Sequence, residues 1–253
     1  MIVIAHLSDI HIGATPGSVD RADAVMRYLD ALPGDLDAVL VTGDIADHGV
    51  AEEYEEARKL LTSRHPVLVG PGNHDVREEF RRVLLGEPAD PGGEPINQVY
   101  RSSKAVYAMC DSSIPPRQNP GLLDDETIAW LEGVLEGERE LPVFVAFHHP
   151  PVVLHSPIVD AIRLRRPEPL ESLIARHPNV AAVLVGHAHT AAATTFAGRP
   201  LLVGPGVIST LKLPWEEGGT SPEICADYDL PPSIAFHVLD DDGRLTTHYR
   251  VIQ

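Results

Sequence analysis

The sequence predicts an α/β protein built on parallel strands, and three observations carry that prediction. Short apolar runs alternate with segments of helical periodicity through the first third of the chain. The runs are solidly apolar, as in strands buried on both faces. Each run then stops in a polar turn at its C-terminal mouth, the edge of an open α/β sheet where ligands bind. A chain of 253 residues, 43% hydrophobic and 23% charged, has ample length for a real core. It shows no internal repeat and no clean linker, so one domain over residues 1–253 is expected.

Taken in order, Ile2 to Leu7 reads as the first strand, with His6 as a hydrogen-bonded core histidine. Ser8-Asp9-Ile10-His11 follows; in an extended chain residues two apart share a side, so Asp9 and His11 could converge. Val19 to Leu32 has helical spacing and ends at Pro33-Gly34. Leu36 to Thr42 is the second strand, running into Gly43-Asp44-Ile45-Ala46-Asp47. Ala51 to Ser63 is a helix whose glutamates form a solvated face. Val67, Leu68 and Val69 make the third strand. Gly70, Pro71 and Gly72 stop it and bring bare backbone close to a neighbour, just before Asn73-His74-Asp75.

Arg77 to Leu85 should be helical, Glu87 to Pro95 a Pro/Gly-rich loop, and Val99 to Asp111 a further strand. Leu122 to Leu135 is amphipathic with Asp124 or Asp125 near its N-cap. Val143 to Phe147 leads into His148-His149-Pro150-Pro151, a rigid exit. After a helix over Glu168 to Ile174, the strand Val180 to Val185 ends in Gly186-His187-Ala188-His189. Residues 205–232, rich in Gly, Pro and Glu and carrying Trp215, are a candidate flap or oligomerisation segment, or merely a poorly packed loop. Ser233 to Leu239, Asp241-Asp242-Gly243 and Arg244 to Val251 close the chain as a hairpin.

A net charge of −17 argues against a nucleic-acid polymer or an anionic membrane as the main partner. No stretch approaches the roughly 20 apolar residues of a spanning helix. The N-terminus lacks the basic region of a secretory signal. Cys110 and Cys225 lie far apart without a metal or disulfide pattern. Free thiols in a reducing compartment are expected, and with them a cytoplasmic location.

Five strand exits carry Asp9/His11, Asp44, Asn73/His74, His148 and His187/His189. Any one of these could be an ordinary turn, but five metal-ligand tips in one chain are not a chance pattern. As the ordered blocks DxH, GDxxD, GNHD, a later strand-end His and GHxH, they resemble the calcineurin-like metallophosphoesterase family. The resemblance covers Asp9 to His189, with no departure at any block. It implies a four-layer αββα sandwich and two divalent metals: Asp9, His11, Asp44 and His189 about one, and Asp44, Asn73, His148 and His187 about the other. It further implies that His74 faces the substrate as a catalytic residue, with Asp75 orienting it.

Two close dications repel, so the bridging Asp44 and a bridging hydroxide are needed to hold them. The net positive charge that remains suits a phosphodiester anion. The resemblance thus implies in-line attack by metal-activated hydroxide, with His74 protonating the leaving alkoxide. Imidazole, carboxylate and amide donors suit Mn, Fe, Co or Zn better than Ca. His149 and Arg77 are further substrate-contact candidates, His155 a phosphate contact, and Asp47 a support for the loop after Asp44. His48, His65, His177, His237 and His248 read as surface or structural residues.

The short DxH start, GNHD followed by Arg77, and HHPP look most like the class III cyclic-nucleotide and glycerophosphodiester phosphodiesterases. The implied activity is hydrolysis of small phosphodiesters. A phosphomonoesterase and a non-catalytic metal-binding scaffold are the alternatives, and a homodimer through the 205–232 segment is a further expectation.

Overall fold

β1 (Ile2–Leu7) lies at the centre of a five-stranded sheet in the computed structural model, which describes residues 1–88 and 93–253. β2 (Ala38–Thr42) and β3 (Val67–Gly70) run parallel on one side of it. A hairpin of β12 (Ser233–Leu239) and β13 (Leu245–Val251) adds antiparallel strands on the other. A second sheet of six strands is made by β4 (Gln98–Arg101), β5 (Val106–Met109), β6 (Val143–Ala146), β7 (Val180–Val185), β8 (Ala192–Phe196) and β9 (Arg199–Val203). Its order is β4-β5-β6-β7-β9-β8, parallel from β5 to β9 and antiparallel at both edges. Both sheets are therefore mixed.

The strand period of two divides β1 between two cores. Ile2 and Ile4 join Leu40, Tyr107, Phe144 and Leu184 in the layer between the sheets. Ala5 and Leu7 face the other way, onto α1 (Ser18–Asp30) and α2 (Ala51–Leu60) through Val25, Leu29 and Tyr54. The second sheet is covered likewise by α4 (Asp125–Glu136) and α6 (Glu168–Arg176), using Leu131, Leu135, Leu170 and Ile174. Helices, sheet, sheet, helices: the four-layer αββα sandwich is the observed fold. Burial on both faces explains why the strands read as solid apolar runs.

Several boundaries differ from the sequence expectation for local reasons. Val99 to Asp111 is not one strand: β4 and β5 form a hairpin, turned by Ser102, whose Oγ accepts from the amides of Lys104 and Ala105. The helix from Arg77 begins as α3 (Arg77–Glu79) and widens into a π-helical turn over Phe80–Leu85, stopped by Gly86 at φ +66°. Asp124 is the N-cap of α4, accepting from the Thr127 amide at 2.8 Å. A short α5 (Pro157–Asp160) follows the HHPP exit. Of the expected Glu87–Pro95 loop, residues 89–92 lie outside the described residues.

The 205–232 segment holds a two-residue ladder between β10 (Thr210–Leu211) and β11 (Ala226–Asp227). The Arg21 guanidinium of α1 donates to the carbonyls of Val207, Tyr228 and Leu230, tying both ends of the segment down. Trp215, at its tip, is 75% exposed.

Candidate metal centre

The parallel strands β1, β2 and β3 of one sheet and β6 and β7 of the other all stop at the same rim, where their next residues meet. The convergence is not made by strand alternation. Asp9, His11, Asp44, His187 and His189 all have positive φ, between +42° and +68°. Non-glycine residues there cost of order 1–3 kcal/mol each, and such outliers cluster at functional sites. Left-handed turns, not extended chain, aim both members of the Asp9/His11 and His187/His189 pairs inward.

Asp44 stands at the middle. One carboxylate oxygen, Oδ2, lies 3.4 Å from His11 Nε2 and 3.3 Å from His148 Nε2. The other, Oδ1, accepts the His74 backbone N–H at 2.8 Å. On one side, Asp9 Oδ1 is 3.4 Å from His189 Nε2 and 4.0 Å from His11 Nε2. On the other, His148 Nε2 is 3.2 Å from Asn73 Oδ1 and 3.1 Å from His187 Nδ1. All seven side chains converge, and Asp9 Oδ1 also lies 3.9 Å from His148 Nε2, so Asp9 and Asp44 both stand between the two sides.

The rings are aimed from behind. His148 Nδ1 donates to the Thr42 carbonyl at 2.7 Å, which leaves Nε2 with its lone pair toward the cluster. His11 Nδ1 meets Asp47 Oδ1 at 2.9 Å, and His189 Nδ1 meets Ser209 Oγ at 2.8 Å. Asp9 Oδ2 accepts the His187 amide at 3.0 Å, locking β1 to β7. Gly72 answers what the bare backbone approaches: a Cβ there would stand 2.2 Å from Asp44 Oδ1.

Residues 2–191 match the calcineurin-like phosphoesterase family. The chain belongs to that family. Among similar proteins, the glycerophosphodiester phosphodiesterase GpdQ of Enterobacter lignolyticus is 32% identical, over 93% of this chain and 86% of its own length. The 3',5'-cyclic AMP phosphodiesterase CpdA of Pseudomonas aeruginosa is 29% identical, over 97% and 88%. A dimetal phosphatase from Danio rerio shares the fold, with a TM-score of 0.69 at 16% identity, covering 100% of this chain and 96% of that one.

The donor set of this phosphoesterase fits divalent cations. Asp9 Oδ1, His11 Nε2 and His187 Nε2 are buried without a hydrogen-bond partner, which is costly for polar atoms unless something else satisfies them. The carboxylates favour positive charge at His148 and His11, whereas burial and neighbouring rings lower His187 and His189. Burial alone would lower the His148 pKa, yet the Asp44 and Asp9 carboxylates raise it to about 9. Burial would raise Asp44, but His148, His11 and His74 hold it well below the usual carboxylate range. His11 behaves like His148: burial is outweighed by Asp47, Asp44 and Asp9, and its pKa rises. A cation ligated by the same atoms would replace those protons.

His74 stands beside the donors with its side chain 36% exposed. Its Nδ1 donates to the Asp47 carbonyl at 2.9 Å, so Nε2 is left for a ligand. Three expectations need correction. Asp75 does not orient the His74 ring: its carboxylate accepts from the amides of Ile45, Ala46 and Gly72 and from Tyr54 Oη, pinning the two loops together. Burial and the Asp44 charge raise Asp75 to about 6, against those bonds. His149 is fully buried, with Nδ1 on Ser112 Oγ at 2.8 Å and Nε2 donating to the Asn119 carbonyl at 3.1 Å, so it offers no atom to a substrate. Arg77 pairs with Asp111 at 2.7 Å and donates to Ser113, so its charge is engaged within the protein and not on a phosphate at the cluster. Asp47, expected only to support its loop, does more: its carboxylate orients His11 and its carbonyl orients His74. The GDxxD spacing was the available signal. Ser209 and Thr42 carried no such signal, because a lone hydroxyl or a backbone carbonyl is invisible in sequence.

Proposed function

We propose that this chain is a metal-dependent hydrolase of small phosphodiesters, glycerophosphodiesters and cyclic nucleotides among them. The placement of Asp44 Oδ2 between His11 Nε2 and His148 Nε2 carries the reading, because one carboxylate oxygen shared by two donor groups suits a pair of ions. One ion would be held by Asp9, His11, Asp44 and His189, and the other by Asp44, Asn73, His148 and His187. When bound, such ions supply Lewis acidity toward a phosphoryl group and activate water as the nucleophile. The chain's own residues supply the rest. His74 is fixed through Nδ1–H by the Asp47 carbonyl, and Nε2, when the ring is charged, would deliver the proton to the oxygen of the leaving alcohol. Buried His149 fills the wall behind His148 and His187 and keeps water from that side.

Mixed imidazole, carboxylate and amide donors favour Mn, Fe, Co or Zn. The relatives' names, GpdQ and CpdA, support diesters as substrates. Among the described residues no helix is long and apolar enough to cross a membrane. Cys110 and Cys225 are both free and buried, in keeping with a reducing, cytoplasmic setting. Residues 1–253 form one unit on this reading. On this reading the 205–232 segment, with Trp215, Ile224, Tyr228 and Leu230 exposed, would be a face for a second copy of the chain, which solution mass would test.

The function is tested by turnover of bis-p-nitrophenyl phosphate against p-nitrophenyl phosphate, metal-free and with added Mn²⁺. Mn-dependent diester hydrolysis with little monoester hydrolysis is expected. The reverse preference would make the chain a monoesterase, and inertness toward both with every metal would make it a scaffold.

A further inference from the structure

Beside His74 the surface folds into a cavity of about 280 Å³, walled by Val76, Glu78, Ile114, Pro115, Pro116 and Arg117. Whole ligand sites span roughly 300–1,000 Å³, so this space holds part of a ligand. Val76, Ile114, Pro115 and Pro116 make its apolar part, while Asp75, Arg77, Glu78, Ser113 and Arg117 line the rest. Arg117 is exposed and is a non-glycine residue at φ +45°, a strained conformation shared with five of the metal-ligand candidates. The turn that carries it is closed by the Gln118 amide donating to the Ile114 carbonyl at 3.0 Å. Its guanidinium donates to the carbonyls of Asp47 and His48 at 2.7 and 2.9 Å.

The Asp47 carbonyl is also the acceptor for His74 Nδ1, so the Arg117 and His74 side chains sit side by side at the mouth of the metal centre. Among the described residues, two of its five guanidinium N–H groups donate to the protein. Arg77, the other cation on the cavity wall, is already neutralised by Asp111.

We propose that this cavity is a substrate subsite, and that Arg117 is its specificity-determining residue. The subsite takes a planar ring carried by the phosphodiester, an aryl group or a nucleobase. Val76, Ile114 and the two prolines bury one face of the ring while the flat guanidinium stacks or donates at its edge. The inference rests on the phosphodiesterase reading, which it deepens by separating ring-bearing diesters from glycerol-type ones. Arg117 touches substrate here without taking part in proton transfer, so its loss should act on KM and leave kcat in place.

The test uses the full chain loaded with Mn²⁺ and two competitive inhibitors that differ only by the ring, phenylphosphonate and methylphosphonate. Wild type is expected to bind the phenyl compound at least tenfold tighter. In Arg117→Ala that preference should fall to within about twofold, and KM for bis-p-nitrophenyl phosphate should rise about tenfold with kcat changed less than twofold. Arg117→Lys keeps the charge but not the flat fork, and should recover little of the ring preference. Ile114→Ala, on the same turn and also lining the cavity, should lower the preference through lost apolar contact. Equal weakening of both inhibitors in Arg117→Ala would reduce the residue to a brace for the Asp47 loop and overturn the proposal, as would no change in either. A wild type that binds both phosphonates but hydrolyses only monoesters would refute the diesterase reading, and the inhibitor ratio would still decide the subsite.

Discussion

Asp44 serves two tasks with one carboxylate: Oδ1 takes the His74 amide, and Oδ2 lies between His11 and His148. Removing it should empty both donor groups at once, whereas Asn73, a neutral donor in one group, should matter to one ion only. Asp44→Ala is expected to lose most bound metal and nearly all activity, and Asn73→Ala to keep close to one ion per chain. Metal counting on the purified variants decides this; two ions retained in Asp44→Ala would reject the shared carboxylate. His74 is the converse case, beside the donors but bonded through Nδ1 to a backbone carbonyl. His74→Ala should keep its metal and lose about 10²–10⁴-fold in rate on a diester with an alkyl leaving group. On a p-nitrophenyl diester the loss should be far smaller, because that leaving group needs no proton. Equal losses on both would make His74 a phosphate-positioning residue.

Elements were legible where burial decides them, and illegible where a turn does. β1, β2, β6 and β7 announce themselves as apolar runs because both faces are covered, and each polar tip followed from its run's end. Nothing in Asp9-Ile10-His11 shows that Asp9 and His11 sit at φ +54° and +42°, so strand alternation gave the wrong reason for side chains that do converge. The β4–β5 hairpin was hidden because Ser102, Ser103 and Lys104 lack the Gly or Asn that marks most tight turns. Asp75 misled through adjacency: its neighbour in sequence is His74, but its partners come from the Asp44 loop and from Tyr54. The PGN turn shows how an element can hold a site without supplying a ligand. A methyl on Gly72 would strike Asp44 Oδ1 and the Asp44 amide, at 2.2 and 2.5 Å. Gly72→Ala should therefore lower metal content and cut activity at least tenfold while the helical signal by circular dichroism persists. Unchanged metal stoichiometry would mean the β2 and β3 turns can separate without cost.

Across the whole molecule, one buried polar chain links the C-terminal hairpin to the metal centre. Thr247 Oγ1 meets His237 Nδ1 at 2.9 Å, His237 Nε2 meets His6 Nδ1 at 3.1 Å, and His6 Nε2 meets Thr42 Oγ1 at 2.9 Å. It crosses β13, β12, β1 and β2 in turn and stops at the residue whose carbonyl aims His148. Burial is the first cause holding both histidines neutral: it lowers His237 to about 3, and it lowers His6 well below its ordinary value, helped by His237. A histidine depressed in the folded state is protonated first in the unfolded chain, whose pKa is about 6.5. Its stabilising contribution is complete above that pH and is lost as pH falls toward the folded value. Each histidine should remove up to about 2 kcal/mol of stability between pH 6.5 and 5, at about 1.4 kcal/mol per unit. Urea unfolding of wild type should thus weaken steeply over that range, and a His6→Gln, His237→Gln double variant, whose amides do not titrate, should weaken less. The metal-centre histidines are common to both proteins and cancel in the comparison. Parallel pH profiles would show that the two rings take up protons in the folded chain as readily as in the unfolded one, and that this layer between the sheets is open to water.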